Sequence, residues 1–171
     1  MKTILSVLLC CAFYQLALMA QTRSGAGMTD QEFVNLAAQT DMTEAHLGQL
    51  AQAQGDSQAV KDLGQMLATD HTADYTQLGT IATKAGLTVP KGIDAKHDKM
   101  IGPFEKLKGK MFDRRYTQTM VKGHGEAITA YKNEANNGQN ADIKAYAQQT
   151  LPTLEKHLKA AKDAEKGKTS S

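Results

Sequence analysis

The sequence predicts an all-α domain built from four long helices, and three observations carry that prediction. Apolar residues recur at spacings of three and four through four long stretches, Ala, Gln, Lys and Leu are abundant, and the chain holds 14 glycines, 3 prolines and no tryptophan. That composition excludes collagen-like, proline-rich and propeller architectures. With 171 residues, 41% hydrophobic and 22% charged, the chain has room for one core and is too apolar for disorder. A formal charge of +2 supplies no strong field for gathering nucleic acid or anionic lipid, so neither is expected as a partner.

The first element, residues 1–20, reads as a secretion signal: Lys2 gives a short positive start, an apolar run follows from Ile4 to Met19, and Ala20 precedes Gln21 at the expected cut. Cleavage a few residues on, after Ala26, fits as well. Cys10 and Cys11 both fall inside this segment, so the exported chain is expected to hold no disulfide and no thiolate site. Leu9 stands before Cys10 where lipidation needs a small residue. A nearly neutral, cysteine-free helical domain that is exported belongs in a periplasm or cell envelope.

Thr29 and Glu32 form a capping box that opens the first long helix, and Phe33, Leu36, Ala37, Thr40, Glu44, Leu47, Leu50 and Ala51 line one face until Gly55. Asp56 or Ser57 caps the second, at about 57–85, with Val60, Leu63, Leu67, His71, Leu78, Ala82 and Ala85 inward and Gly86 as its stop. GLTVPKG is then turn and extended chain, because Pro90 lacks an amide donor and biases Val89 away from helical angles. A short helix is expected between Asp94 and Lys108 with Met100, Phe104 and Leu107 inward, interrupted or kinked at Gly102 and Pro103.

After Gly109 the third long helix repeats Phe112, Tyr116, Met120, His124, Ala127 and Tyr131 until Asn136, Asn137 and Gly138 end it. The fourth starts near Asn140 with Ile143, Ala147, Thr150, Leu154, His157 and Ala161 inward, and Pro152 should bend it one turn before His157. Short turns at 55 and 138 and one long link between the second and third helices give a ferritin-like four-helix bundle of two hairpins. The domain spans 28–165, followed by a polar tail at 166–171.

Glu44, His71, His124 and His157 fall on the apolar stripe of four different helices, each near its middle. Burying a carboxylate and three imidazoles without partners is costly, so they need hydrogen bonds, water or a metal. Imidazoles with one carboxylate make a donor set for Fe, Zn, Cu or Ni, and bundles build metal sites from facing helices in this way. Counting residues from each turn, however, leaves Glu44 and His71 offset by about 8 Å along the axis, and His124 and His157 by about 8 Å as well. Asp70, Asp74 and Glu155 are the candidate hydrogen-bond partners, Asp74 sharing the helix face of His71.

Elsewhere the signals are weaker. His46 and His97 read as solvent histidines, and Met42, Met66, Met111 and Met120 as core filler rather than copper ligands. Tyr75, Tyr116, Tyr131 and Tyr146 read as half-buried packing groups. Asp113 suits the positive end of its own helix, with Arg114 and Arg115 paired on the surface. The chain has no phosphate-cradling glycine loop, no Gly-x-Ser-x-Gly, no His-Glu-x-x-His and no Glu-x-x-His pair of di-iron bundles, so no catalytic residue is assigned.

The ordered motifs DMTEAHLGQLA, MLATDH, FDRRYTQTMVKGH and LPTLEKHL, spanning about 29 to 165, resemble the exported bundle family called domain of unknown function 4142, often labelled an outer membrane protein. The resemblance implies a ferritin-like four-helix fold and recurrent polar positions at Glu44, Asp70, His71, Asp113, Tyr116, His124 and His157. It adds Tyr116 to Asp70 and Asp74 as an outer residue of the site. Where the family usually has Asp before the histidine of the third helix, this chain has Gly123. Helices this polar cannot span a bilayer, and no set of alternating barrel strands is visible. Two functions compete: a protein that binds a transition metal in its core, and an envelope structural or interaction protein whose histidines only order that core.

Overall fold

The computed structural model describes residues 27–167; the expected signal at 1–20, both cysteines, the cleavage positions and residues 168–171 of the tail lie outside it. The described residues form five helices and no strand: α1 (Asp30–Gln54), α2 (Gln58–Lys84), α3 (Ala95–Glu105), α4 (Gly109–Asn137) and α5 (Ala141–Glu165). The chain is all-helical, and its four long helices with one short one are compatible with the expected bundle. No helix among the described residues is long and apolar enough to cross a membrane.

Each start has a local cause. Thr29 and Glu32 close the capping box of α1, Ser57 accepts from the Val60 amide, Asp94 from the Lys96 and His97 amides, and Asn140 from the Asp142 and Ile143 amides. Gly86 ends α2 at φ +75°, where the Leu87 amide reaches back to the Ala82 carbonyl. Pro103 and Pro152 lie inside α3 and α5, which continue past them to Glu105 and Glu165. On α3 the buried pair is Ile101 and Phe104, whereas Met100, expected inward, is 43% exposed, because Ile101 and Phe104 at i, i+3 set the packed face.

α1 packs along α2 and α4 along α5, the two hairpins meet through α2 with α5 and α1 with α4, and α3 lies on α1. Each hairpin's turn is closed by a carboxylate of the other. Asp113 of α4 accepts from the Asp56 and Ser57 amides at 2.9 and 2.8 Å, and Asp30 of α1 from the Gln139 and Asn140 amides at 2.8 and 2.9 Å. Asp113 thus serves the start of α2, since its own helix has no side-chain cap. The core is divided. One apolar cluster holds Leu47, Leu63, Leu67, Phe104, Phe112 and Met120; the other holds Phe33, Leu78, Tyr131, Ile143, Tyr146 and Leu154. Between them on every long helix stands one of the four inward polar residues.

α1 and α2 approach most closely at Gly48 and Gly64: a Cβ on Gly64 would come within 2.6 Å of Ala51 Cβ and 2.7 Å of the Gly48 carbonyl oxygen. Gly79, on the same helix, would meet nothing within 4 Å. Gly64→Ala is therefore expected to lose about 1–3 kcal/mol of stability by forcing the helices apart, and Gly79→Ala to gain about 0.5–1 kcal/mol. Urea unfolding of the two variants checks this, and equal effects would contradict the close crossing.

Candidate metal centre

The polar layer brings the three imidazoles together. His71, His124 and His157 are all buried, and one ring nitrogen from each lies within 4.8 Å of the other two. Glu44 Oε2 is 3.0 Å from His71 Nε2 and 3.4 Å from His124 Nε2. The axial offset found by counting residues closes because a Cα–Cβ bond tilts toward its helix N-terminus. In each hairpin the first residue's side chain then leans away from the turn and the second's leans toward it. Glu44 meets His71, and His124 meets His157, at a common height.

Each ring is held from outside by its other nitrogen. His71 Nδ1 is 2.9 Å from Asp41 Oδ1, His157 Nε2 is 2.8 Å from Asp70 Oδ2, and His124 Nδ1 is 3.0 Å from the Met120 carbonyl oxygen. A carbonyl only accepts, so the Nδ1 of His124 donates to it, and Nε2 is the nitrogen turned toward Glu44. His157, donating to Asp70, turns Nδ1 inward. The four atoms turned inward, Glu44 Oε2, His71 Nε2, His124 Nε2 and His157 Nδ1, are buried and have no hydrogen-bond partner among the described residues. Glu44 and His71 face one another as a charge pair across 3.0 Å.

Such a cluster requires positive charge. Burial alone would raise the Glu44 carboxyl, but the imidazoles of His124 and His71 outweigh it and hold Glu44 down at about 2. Burial alone would lower His71, yet the Glu44 charge and the Asp41 hydrogen bond carry it up to about 10. His157 goes the other way: burial, only partly opposed by its Asp70 hydrogen bond, brings it to about 4 and leaves the ring neutral. Burial raises Asp41 to about 7 against the pull of His71. Without a metal, the extra proton on His71, between Asp41 and Glu44, supplies positive charge to the site.

The other sequence-derived residues are placed as follows. Asp70 does reach a histidine, but it is His157 across the helix interface rather than its neighbour His71. Asp74, expected to hold His71, instead accepts from the Tyr146 hydroxyl at 2.7 Å. Its helix-mate relation to His71 is overridden by Asp41, which stands on the facing helix. Glu155 is on the surface, 3.5 Å from Lys132. Tyr116 is buried with no partner for its hydroxyl, and burial together with the Glu44 charge raises that hydroxyl well above its ordinary range.

Tyr116, Tyr131 and Tyr146 are fully buried rather than half-buried; Tyr75 alone among the four bonds a loop carbonyl, that of Pro90. His46 is half-buried outside the cluster, and His97 pairs with Asp94 at 2.7 Å. Asp41 is the residue that sequence reasoning missed. It lies three before Glu44 on the same helix face, the spacing that could have found it.

An all-helical domain with a buried layer of three imidazoles and one carboxylate, one from each long helix, is the class of protein that fold and site define. Over residues 15–164 the chain matches the Domain of unknown function (DUF4142), and it belongs to that family. It is also similar to a crystal structure of a DUF305 protein described as secreted, from Streptomyces coelicolor. The likeness has a TM-score of 0.60 at 16% identity, covers 85% of this chain and 99% of that one, and shows the fold alone. No curated protein matches.

The charge pair sets a pH window for stability. Glu44, held down at about 2, stabilises the fold above its ordinary 4.5, and that contribution is lost as pH falls from there. His71, raised to about 10, stabilises it below its ordinary 6.5, and that contribution is lost as pH rises through about 10. In chelator-treated protein, Glu44→Gln is expected to cost about 3–5 kcal/mol by stranding a buried charge. The difference from wild type should peak between pH 4.5 and 6.5, the two ordinary values. Urea titrations across pH check it; a difference that does not vary with pH would refute the assigned charges.

Proposed function

We propose that this chain is an exported four-helix-bundle protein that holds one transition-metal ion on Glu44, His71, His124 and His157. The observation that carries the reading is the cluster of three buried imidazoles with ring nitrogens within 4.8 Å of one another, beside which the Glu44 carboxylate stands 3.0 Å from His71 and 3.4 Å from His124. Imidazole nitrogen with a single carboxylate oxygen suits Fe, Zn or Cu, with Ni also served by such donors. The outer hydrogen bonds support it too. Asp41, Asp70 and the Met120 carbonyl grip the distal nitrogens as acceptors, the arrangement that fixes ring orientation and tautomer in metal sites.

Residues 28–165 act as the domain, with a ferritin-like crossover through the 85–108 link, and residues 1–20 direct export to a periplasm or envelope. The secreted description of the DUF305 neighbour agrees with export. No catalytic residue is assigned. A second reading, an envelope structural or interaction protein whose histidines only order its core, draws on the Asp41–His71–Glu44 array, which a proton alone can neutralise.

Metal analysis and calorimetry on protein made without a histidine tag separate the two. One ion per chain is expected, with a stability gain of about 2.7 kcal/mol when free metal is a hundred times Kd. His71→Ala and His124→Ala should abolish binding in variants that remain helical, and Asp70→Asn should weaken it about 10–100-fold. Absence of stoichiometric metal, with no thermal shift on adding Zn, Cu, Fe or Ni, would establish the core-ordering reading instead.

A further inference from the structure

A cavity of about 820 Å³ lies between α1, α3 and α4, a volume typical of small-molecule sites. Its wall has two characters. Leu36 and Met100 supply an exposed apolar surface, with Leu47, Phe104 and Met120 buried behind it, and Lys96, Lys99, Arg115 and Lys122 supply cations. Among the described residues the large exposed hydrophobics are Leu36, Met100 and Met111, and the first two both line this cavity. Two of these three side chains gathered in one recess make a patch there, while Met111 stands alone elsewhere.

The cations there are largely uncompensated. Lys122 stands 3.6 Å from Glu126, but no carboxylate among the described residues pairs with Lys96, Lys99 or Arg115. The Arg115 guanidinium sits 5.3 Å from the Phe104 ring centroid, which places a planar cation directly on the apolar wall. Glu44 and Glu126 are the acids of the lining, and the Oε2 of Glu44 faces His71 and His124. A Cβ on Gly123 would lie 3.3 Å from Glu44 Oε1, so the glycine keeps the floor of the cavity open beside that carboxylate.

Unpaired cations around an apolar wall repel a free metal ion and match a ligand with the opposite charge and a hydrocarbon part. We propose that this cavity binds a small amphiphilic organic anion. Its carboxylate or sulfonate head lies against Lys96, Lys99 and Arg115, and its acyl or aryl body lies over Leu36 and Met100. This inference does not require a metal in the buried layer: none of His71, His124 and His157 lines the cavity, and Glu44 is the one residue the two sites share.

Calorimetry with decanoate on the chelator-treated mature chain tests it, with decyltrimethylammonium, decanol and acetate as comparisons. Saturable, equimolar binding of decanoate is expected, with the cationic and neutral decyl compounds and acetate each weaker by about tenfold or more, since both head and body contribute. The double variant Lys96→Glu with Lys99→Glu, both side chains exposed, should lose about tenfold in decanoate affinity while keeping its helical circular dichroism. Met100→Glu, also exposed, should weaken decanoate without a comparable effect on acetate. Absence of saturable decanoate binding, equal binding of the cationic analogue, or unchanged affinity in folded variants would overturn the proposal.

Discussion

The structure depends on one electrostatic constraint: a layer of three imidazoles and two carboxylates, buried between two apolar clusters, has to contain a cation. Every long helix contributes to that constraint at one height, and the apolar residues above and below exclude the water that would otherwise satisfy it. A protonated His71 meets the need with a proton, and a metal ion would meet it with a greater charge shared over more donors. In either state the layer has only one arrangement in which its outer hydrogen bonds are all made. It therefore fixes the register of the four helices as well as marking a site.

That register is reinforced from both ends. Asp113 and Asp30 close the opposite hairpin turns, so each hairpin depends on the other for the amides its own residues leave open. Between the layer and the turn at 55, Gly48 and Gly64 let α1 and α2 touch backbone to backbone, one turn beyond Glu44 and two turns before His71. The close crossing brings the Asp41 carboxylate within 2.9 Å of His71. The packing of small residues and the polarity of the layer are thus coupled: widening the crossing would lengthen the hydrogen bond that orients the ring.

The helices and the four inward polar residues were legible because both follow from periodicity, and a side chain on an apolar stripe has nowhere to go but inward. Thr29, Ser57, Asp94 and Asn140 were readable as starts for the same local reason. What was not legible lay between helices. Asp41 rather than Asp74 holds His71, because a facing helix offers a straighter approach than a neighbour on the same one. The meeting of Glu44 with His71 was obscured by counting backbone rise alone, since the direction of each Cβ vector decides where the functional atoms end up. Met100 was misplaced for a similar reason, and Arg115, on the surface as expected, lies on Phe104 instead of in an ion pair: which face of α3 packs, and what Arg115 meets there, are properties of a contact no single helix encodes.

The inward donors are not equally secured, and the difference falls on the side of the cavity. His71, His124 and His157 are each tied from behind by an acceptor that shares none of their inward space. Glu44 has no hydrogen bond of that kind; its position rests on the charges it faces, and it alone of the four lines the recess beneath α3. An anion entering that recess would meet the Glu44 carboxylate with repulsion unless the imidazole array, by a proton or a metal, already neutralises it. An anion bound there would feel the charge state of the buried layer through this single side chain, and Gly123 is the position whose lack of a Cβ leaves that carboxylate within reach.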